Sequence, residues 1–130
     1  MVHDWTIGSR TIYKDELPKR GDIVIFYSDE EQETMVKRVI GLPGEKITFV
    51  GGHVYVNGER LDESAYLDDS VVTDPGDQDE FVVPDGCIFV LGDNREVSYD
   101  ARYWENPYIS QDKIQSDVEV VIPFHKLPWF

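Results

Sequence analysis

A lysine stands inside an apolar run at Met35-Val36-Lys37-Arg38-Val39-Ile40. In water a lysine amine has a pKa near ~10.4, so well under ~1% of it is neutral at pH 7. Burial among apolar groups disfavours the ammonium and can lower that value by ~3–5 units. A lysine so placed can take a proton from a serine hydroxyl, a task more often given to histidine. The ordinary reading is different: a strand lysine lays its stem along apolar surface and returns its charge to water. On this run alone the ordinary reading is the stronger one.

A second group of reactive residues lies in "GDNREVSYDARYW", residues 92 to 104. Ser98, Asp100 and Arg102 alternate, so in an extended chain they share a face. The serine could exchange a hydrogen bond with a neighbouring amine. Asp100 could pair with Arg102, or Asp93 could pair with a distant arginine such as Arg38, fixing the loop. A surface turn with exposed charges explains the same residues equally well. Cys87 is the only cysteine, which excludes an internal disulfide, and it reads as a small packed strand residue. His3, His53 and His125 are too far apart for a metal-ligand spacing. Trp5, Tyr103 and Trp104 read as core or rim aromatics.

The elements that must position these residues are strands. "DIVIFY" (22–27), "MVKRVI" (35–40), "KITFV" (46–50), "HVYVNG" (53–58), "FVV" (81–83), "CIFVLG" (87–92) and "VEVVIP" (118–123) are short and rich in Val, Ile and aromatics. Gly, Pro or Asp-rich turns bound each of them. Gly51-Gly52 predicts a two-residue hairpin turn, and Asn57-Gly58 the next turn. No window carries a sustained 3.6-residue period, and "ISQDKI" (109–114) reads as one helical or 3₁₀ turn at most. The expected fold is mainly β: one domain, residues 1–130, of short curled antiparallel strands around one core. Residues 62–80 break the pattern. They are acidic, contain Pro75-Gly76, and have little to bury beyond Tyr66, Leu67 and two valines. They read as an extended, mobile acidic loop within the domain.

With 26 acidic against 12 basic residues, the net charge of −14 argues against a phosphate-backbone partner, so no nucleic acid is expected. No run approaches the ~18 apolar residues of a membrane span, and no signal-peptide apolar region follows Met1. The 130 residues therefore read as soluble.

In order and spacing, "PKRGDIVIF" (18–26), "KRVIGLPGE" (37–45) and "GDNREVSYDARYW" (92–104) resemble three boxes of the bacterial type I (leader) signal peptidases. These are Ser/Lys serine proteases that remove signal peptides from exported preproteins. "VYVNGERLDESAYL" between the boxes fits the same pattern, and the likeness runs from about residue 6 to about residue 115. The resemblance implies that Lys37 is the general base and that Ser98 orients it. It implies that Asp100–Arg102 and Asp93–Arg38 are supporting ion pairs. Lys37 is then buried, its amine within hydrogen-bond reach of Ser98 and its pKa lowered. Substrates are Ala-X-Ala-type sites lying extended against strand edges, with Met1, Met35 and Val36 lining small pockets. No metal or cofactor is required. The site of action is the cell membrane, with the catalytic domain on the extracytoplasmic side and an N-terminal anchor outside this chain.

Departures from the family pattern concentrate at the start. Aligned without a gap on Gly8-Ser9-Arg10, Met1 falls on the methionine that follows the catalytic serine. The nucleophile is therefore expected just before Met1 and absent from this chain. His3 and Asp4 stand where proline and threonine are usual, Ala101 where serine is common, and Glu105 where glycine often follows Tyr-Trp. Ser9, the nearest serine, is expected in a strand beyond the active box. The chain as given is then inactive, beginning late relative to an active parent. The alternative is a non-catalytic signal-peptidase-like binding protein, for example one that handles pilin subunits in Gram-positive pilus assembly; in a gapped alignment Asp4 would then occupy the nucleophile position. A self-cleaving repressor of the related Ser/Lys class is disfavoured by the Gly-Asp-Asn-Arg box, the acidic charge and the lack of a DNA-binding domain.

Overall fold

The computed structural model of the chain describes residues 7–11 and 17–120. Its elements are strands β1 (Ile7–Thr11), β2 (Ile23–Ser28), β3 (Glu33–Gly41), β4 (Lys46–Val50), β5 (His53–Val56), β6 (Glu59–Arg60), β7 (Glu80–Val82), β8 (Cys87–Leu91), β9 (Ile109–Ser110) and β10 (Ile114–Val120). One 3₁₀ turn, Gln111–Lys113, precedes β10. The strands form a six-stranded sheet in the order β1-β10-β2-β3-β8-β9 and a four-stranded sheet in the order β6-β5-β4-β7. The described pairings are antiparallel throughout. The mainly β reading therefore matches the structure. Two short strands, β6 and β9, escape a sequence reading because two residues show no alternation. β10 starts four residues before the predicted run, and positions 121–123 lie outside the described residues.

The strands form where β-branched and aromatic residues alternate or run continuously. β2 alternates at its far end, with Phe26 and Ser28 inward and Tyr27 outward. Ile88, Phe89, Val90 and Leu91 of β8 are all buried, as befits a strand covered on both faces. The core joins the two sheets: Val24 and Phe26, Val39 and Ile40, Ile47 and Phe49, Val54, Phe81 and β8 form one cluster. Phe81 and Phe89 pack at 4.7 Å between ring centroids, with Phe49 beside both.

Two local features set the geometry of β3. Its pairing with β8 slips between Val39 and Gly41, so Ile40 is the extra residue of a bulge. Gly41 is required there by space: a Cβ would come within 3.0 Å of Ile47 and of Phe89 Cβ. At the other sheet, Gly51 and Gly52 both have positive φ, which closes the tight β4–β5 hairpin that their sequence predicts.

Candidate functional site

Register places Lys37 opposite Val24, and both are buried. β3 runs from an exposed tip at Glu33 to a buried base, and Lys37 is its first buried residue. The Lys37 amine Nζ lies 3.0 Å from Ser98 Oγ. Ser98 is also buried and belongs to the turn that leaves β8; its own N–H is held by the carbonyl of Asn94 at 2.8 Å. Burial pushes the Lys37 amine below its ordinary pKa. Asp100 opposes that effect and Arg102 adds to it; Glu33 and Asp93 also favour the ammonium. A desolvated amine touching a hydroxyl is a competent proton acceptor.

Two ion pairs brace the turn. Asp100 is fully buried and takes Arg102 in a fork: Nε at 2.8 Å on Oδ1 and Nη2 at 2.8 Å on Oδ2. It also accepts the backbone N–H groups of Gly92 and Arg102. Asp93 takes Arg38 in the same way, at 2.8 and 2.7 Å, and Arg38 further donates to the Gly21 carbonyl. Since Arg38 follows Lys37, this second pair ties the lysine strand to the serine turn. Fork-to-fork pairs fix orientation as well as charge. The structure thus brings Lys37, Ser98, Arg38, Asp93, Asp100 and Arg102 into one connected group.

The family described as signal peptidase, peptidase S26, matches residues 1–123. The chain belongs to that family. It is 38% identical over 111 residues to the signal peptidase I of Leptolyngbya laminosa, covering 79% of this chain and 53% of that one. It is 40% identical over 103 residues to the signal peptidase I of Bacillus caldolyticus, covering 72% and 56%. The crystal structure of a signal peptidase I from Enterococcus faecalis superposes with a TM-score of 0.63 at 30% identity, covering 78% of this chain and 97% of that one. The chain spans about half the length of the curated relatives it matches.

Other residues of this family member enter the site without a sequence signal strong enough to place them. Arg95 is buried and forks onto Glu63, with Nη1 at 3.1 Å and Nη2 at 2.6 Å from its two carboxylate oxygens. Arg95 also donates to Thr73 Oγ1 and to the Gly92 carbonyl. Tyr66 lies under the Arg38 guanidinium, 4.0 Å from its carbon to the ring centre, and its hydroxyl donates to Glu63. Burial and the adjacent Glu63 carboxylate push the Tyr66 phenol well above its usual pKa. Glu63, Tyr66 and Thr73 all belong to the acidic loop, which is therefore fastened onto the site instead of trailing in solvent. One clue was available: Tyr66-Leu67 and Val71-Val72-Thr73 are poor residues for a wholly solvated loop.

Met35 and Val36 are half-buried on β3, on opposite faces of the strand. Among the described residues, β8 pairs with β3 only from Arg38 onward, so the Glu33–Lys37 edge of β3 has no strand on that side. Met1, His3, Asp4 and Trp5 lie outside the described residues, as does His125; Ser9 is in β1, as its position suggests. Trp104 is buried edge-on against Phe26, whereas Tyr103 is half-exposed and stacked on Tyr99. Cys87 is half-buried at the start of β8, and burial raises its thiol pKa. A thiol shifted in that direction is a poorer nucleophile at neutral pH.

Proposed function

We propose that this chain is the catalytic portion of a bacterial signal peptidase I, a serine endopeptidase held at the cell membrane. It cuts signal peptides from exported preproteins on the extracytoplasmic side. The observation that carries this reading is the buried Lys37 amine, lowered in pKa and 3.0 Å from Ser98. No helix among the described residues is long and apolar enough to cross a membrane. Membrane attachment in this reading belongs to an N-terminal anchor outside these 130 residues.

The preprotein binds extended, adding a strand to the open Glu33–Lys37 edge, with Met35, Val36 and Met1 shaping pockets for the small side chains of an Ala-X-Ala-type site. The nucleophile is a serine directly before Met1. Its Oγ attacks the scissile carbonyl carbon as Lys37 Nζ takes the hydroxyl proton. The tetrahedral adduct collapses, the ammonium gives that proton to the leaving amine, and the mature protein departs. Lys37 then takes a proton from water, whose hydroxide attacks the acyl ester; the signal peptide is released and the proton returns to the serine. Ser98 and the two ion pairs touch no substrate. They hold the amine at the reacting centre.

The experiment is restoration. The 130-residue chain is assayed against an Ala-X-Ala peptide beside a form extended at the N-terminus by Gly-Ser. The extended form alone should cleave, with a rate that rises with pH through the lowered Lys37 pKa and then levels off. Lys37→Ala should abolish cleavage and His3→Ala should not, since a histidine base would titrate near ~6.5. A folded, extended protein that binds the peptide and never cuts it would leave a binding protein in place of an enzyme. Turnover by the unextended chain that disappears in Lys37→Ala would put the nucleophile elsewhere.

A further inference from the structure

The segment from Leu61 to Asp74 touches every arginine of the site. Tyr66 stacks under Arg38, Glu63 and Thr73 hold Arg95, and the Asp74 carbonyl accepts from Arg102 at 2.9 Å. Both ends of the segment are pinned to the smaller sheet. Leu61 N–H bonds the Val54 carbonyl at 2.9 Å, and Thr73 N–H bonds the Gly52 carbonyl at 2.9 Å. Between them the N–H groups of Tyr66 and Leu67 both reach the Glu63 carbonyl, a single turn that fixes where the Glu63 side chain emerges. The Tyr66 hydroxyl then holds the Glu63 carboxylate at 2.9 Å.

Arg95 carries this anchoring into the serine turn. Its Nε donates to the Gly92 carbonyl at 2.7 Å, and its own carbonyl accepts Arg102 Nη2 at 3.0 Å. Three residues later Ser98 meets the lysine amine. We propose that Glu63 is a positioning residue for Lys37: through Arg95 it holds the Gly92–Ser98 turn so that Ser98 Oγ stays on the amine and water stays off it. The proposal rests on the reading of Lys37 as the base. Without the Glu63 charge, Arg95 is a buried cation lacking its carboxylate. Such a group draws in water or swings outward, and the turn goes with it.

A purely electrostatic role for Glu63 predicts the opposite sign. The charges acting on the amine from the packed elements are Asp100, Glu33 and Asp93, which favour the ammonium, and Arg102, which disfavours it. Removing a further negative charge that acted only at a distance would push the amine pKa lower still. Loosening the turn hydrates the amine and pushes its pKa up.

The test is Glu63→Gln in the 130-residue chain, with folding checked by circular dichroism and Lys37 titrated by NMR of side-chain-labelled lysine. The expected result is an upward movement of the Lys37 titration. In the Gly-Ser-extended form the rate at pH 7 should fall through kcat with KM little changed, about tenfold for each unit of that movement. A folded variant whose Lys37 titration is unchanged or lower overturns the proposal. Should Glu63→Gln not fold, Tyr66→Phe removes only the hydroxyl that holds the carboxylate; it should move Lys37 the same way by less, and no movement overturns the proposal. An upward movement in a protein that never cleaves would uphold the positioning role and remove the catalytic reading instead.

Discussion

Asp100→Ala should be among the most damaging single substitutions in this domain. Asp100 is fully buried and accepts four hydrogen bonds, from the N–H groups of Gly92 and Arg102 and from Nε and Nη2 of the Arg102 guanidinium. Truncation leaves Arg102 as a buried cation whose remaining acceptors, the carbonyls of Arg95 and Asp74, carry no full charge. Removing one member of a buried pair costs about 3–5 kcal/mol. At ~2.1 cal/mol/K per residue, the 130-residue chain has an unfolding entropy near 0.27 kcal/mol/K, so that cost lowers Tm by about 11–18 °C. Asp77 is the control: it is exposed in the same acidic segment that reaches the site. Asp77→Ala should stay within about 0.5 kcal/mol, or roughly 2 °C. Scanning calorimetry at pH 7 on both variants makes the comparison. Equal melting temperatures would refute the structural role assigned to the pair.

Lys37 itself should cost stability at neutral pH. Its folded pKa lies below the unfolded value of 10.5, so the folded chain binds fewer protons between the two, and stability rises with pH across that window. Measured against Lys37→Met in urea, the wild type should gain ground as pH climbs toward 10.5; a constant difference between them would show that the amine is not desolvated. Gly41→Ala forces a Cβ within 3.0 Å of Ile47 and Phe89 Cβ at the β3 bulge, and should cost about 1–3 kcal/mol by chemical denaturation. A neutral Gly41→Ala would mean that the core under β3 relaxes more freely than its packing suggests.

The strands were legible because their chemistry is local. Alternation in β2, the unbroken apolar run of β8 and the glycine pair at 51–52 each state their own structure within a few residues. Of the paired charges, Asp100 and Arg102 are two residues apart and could be read as a local pair, whereas Arg38 and Asp93 are 55 positions apart and were singled out by the family resemblance. Glu63 was not legible. Its partner Arg95 is 32 positions away, in a different loop, and nothing near either residue names the other. Only the topology makes them neighbours, by leading the chain from β6 across the mouth of the serine turn before it returns at β7. The composition of that crossing, rich in aspartate and glutamate, argues for solvation when it is averaged. A single carboxylate facing a buried arginine reverses the argument for its own position, because burying that arginine unpaired would cost several kcal/mol.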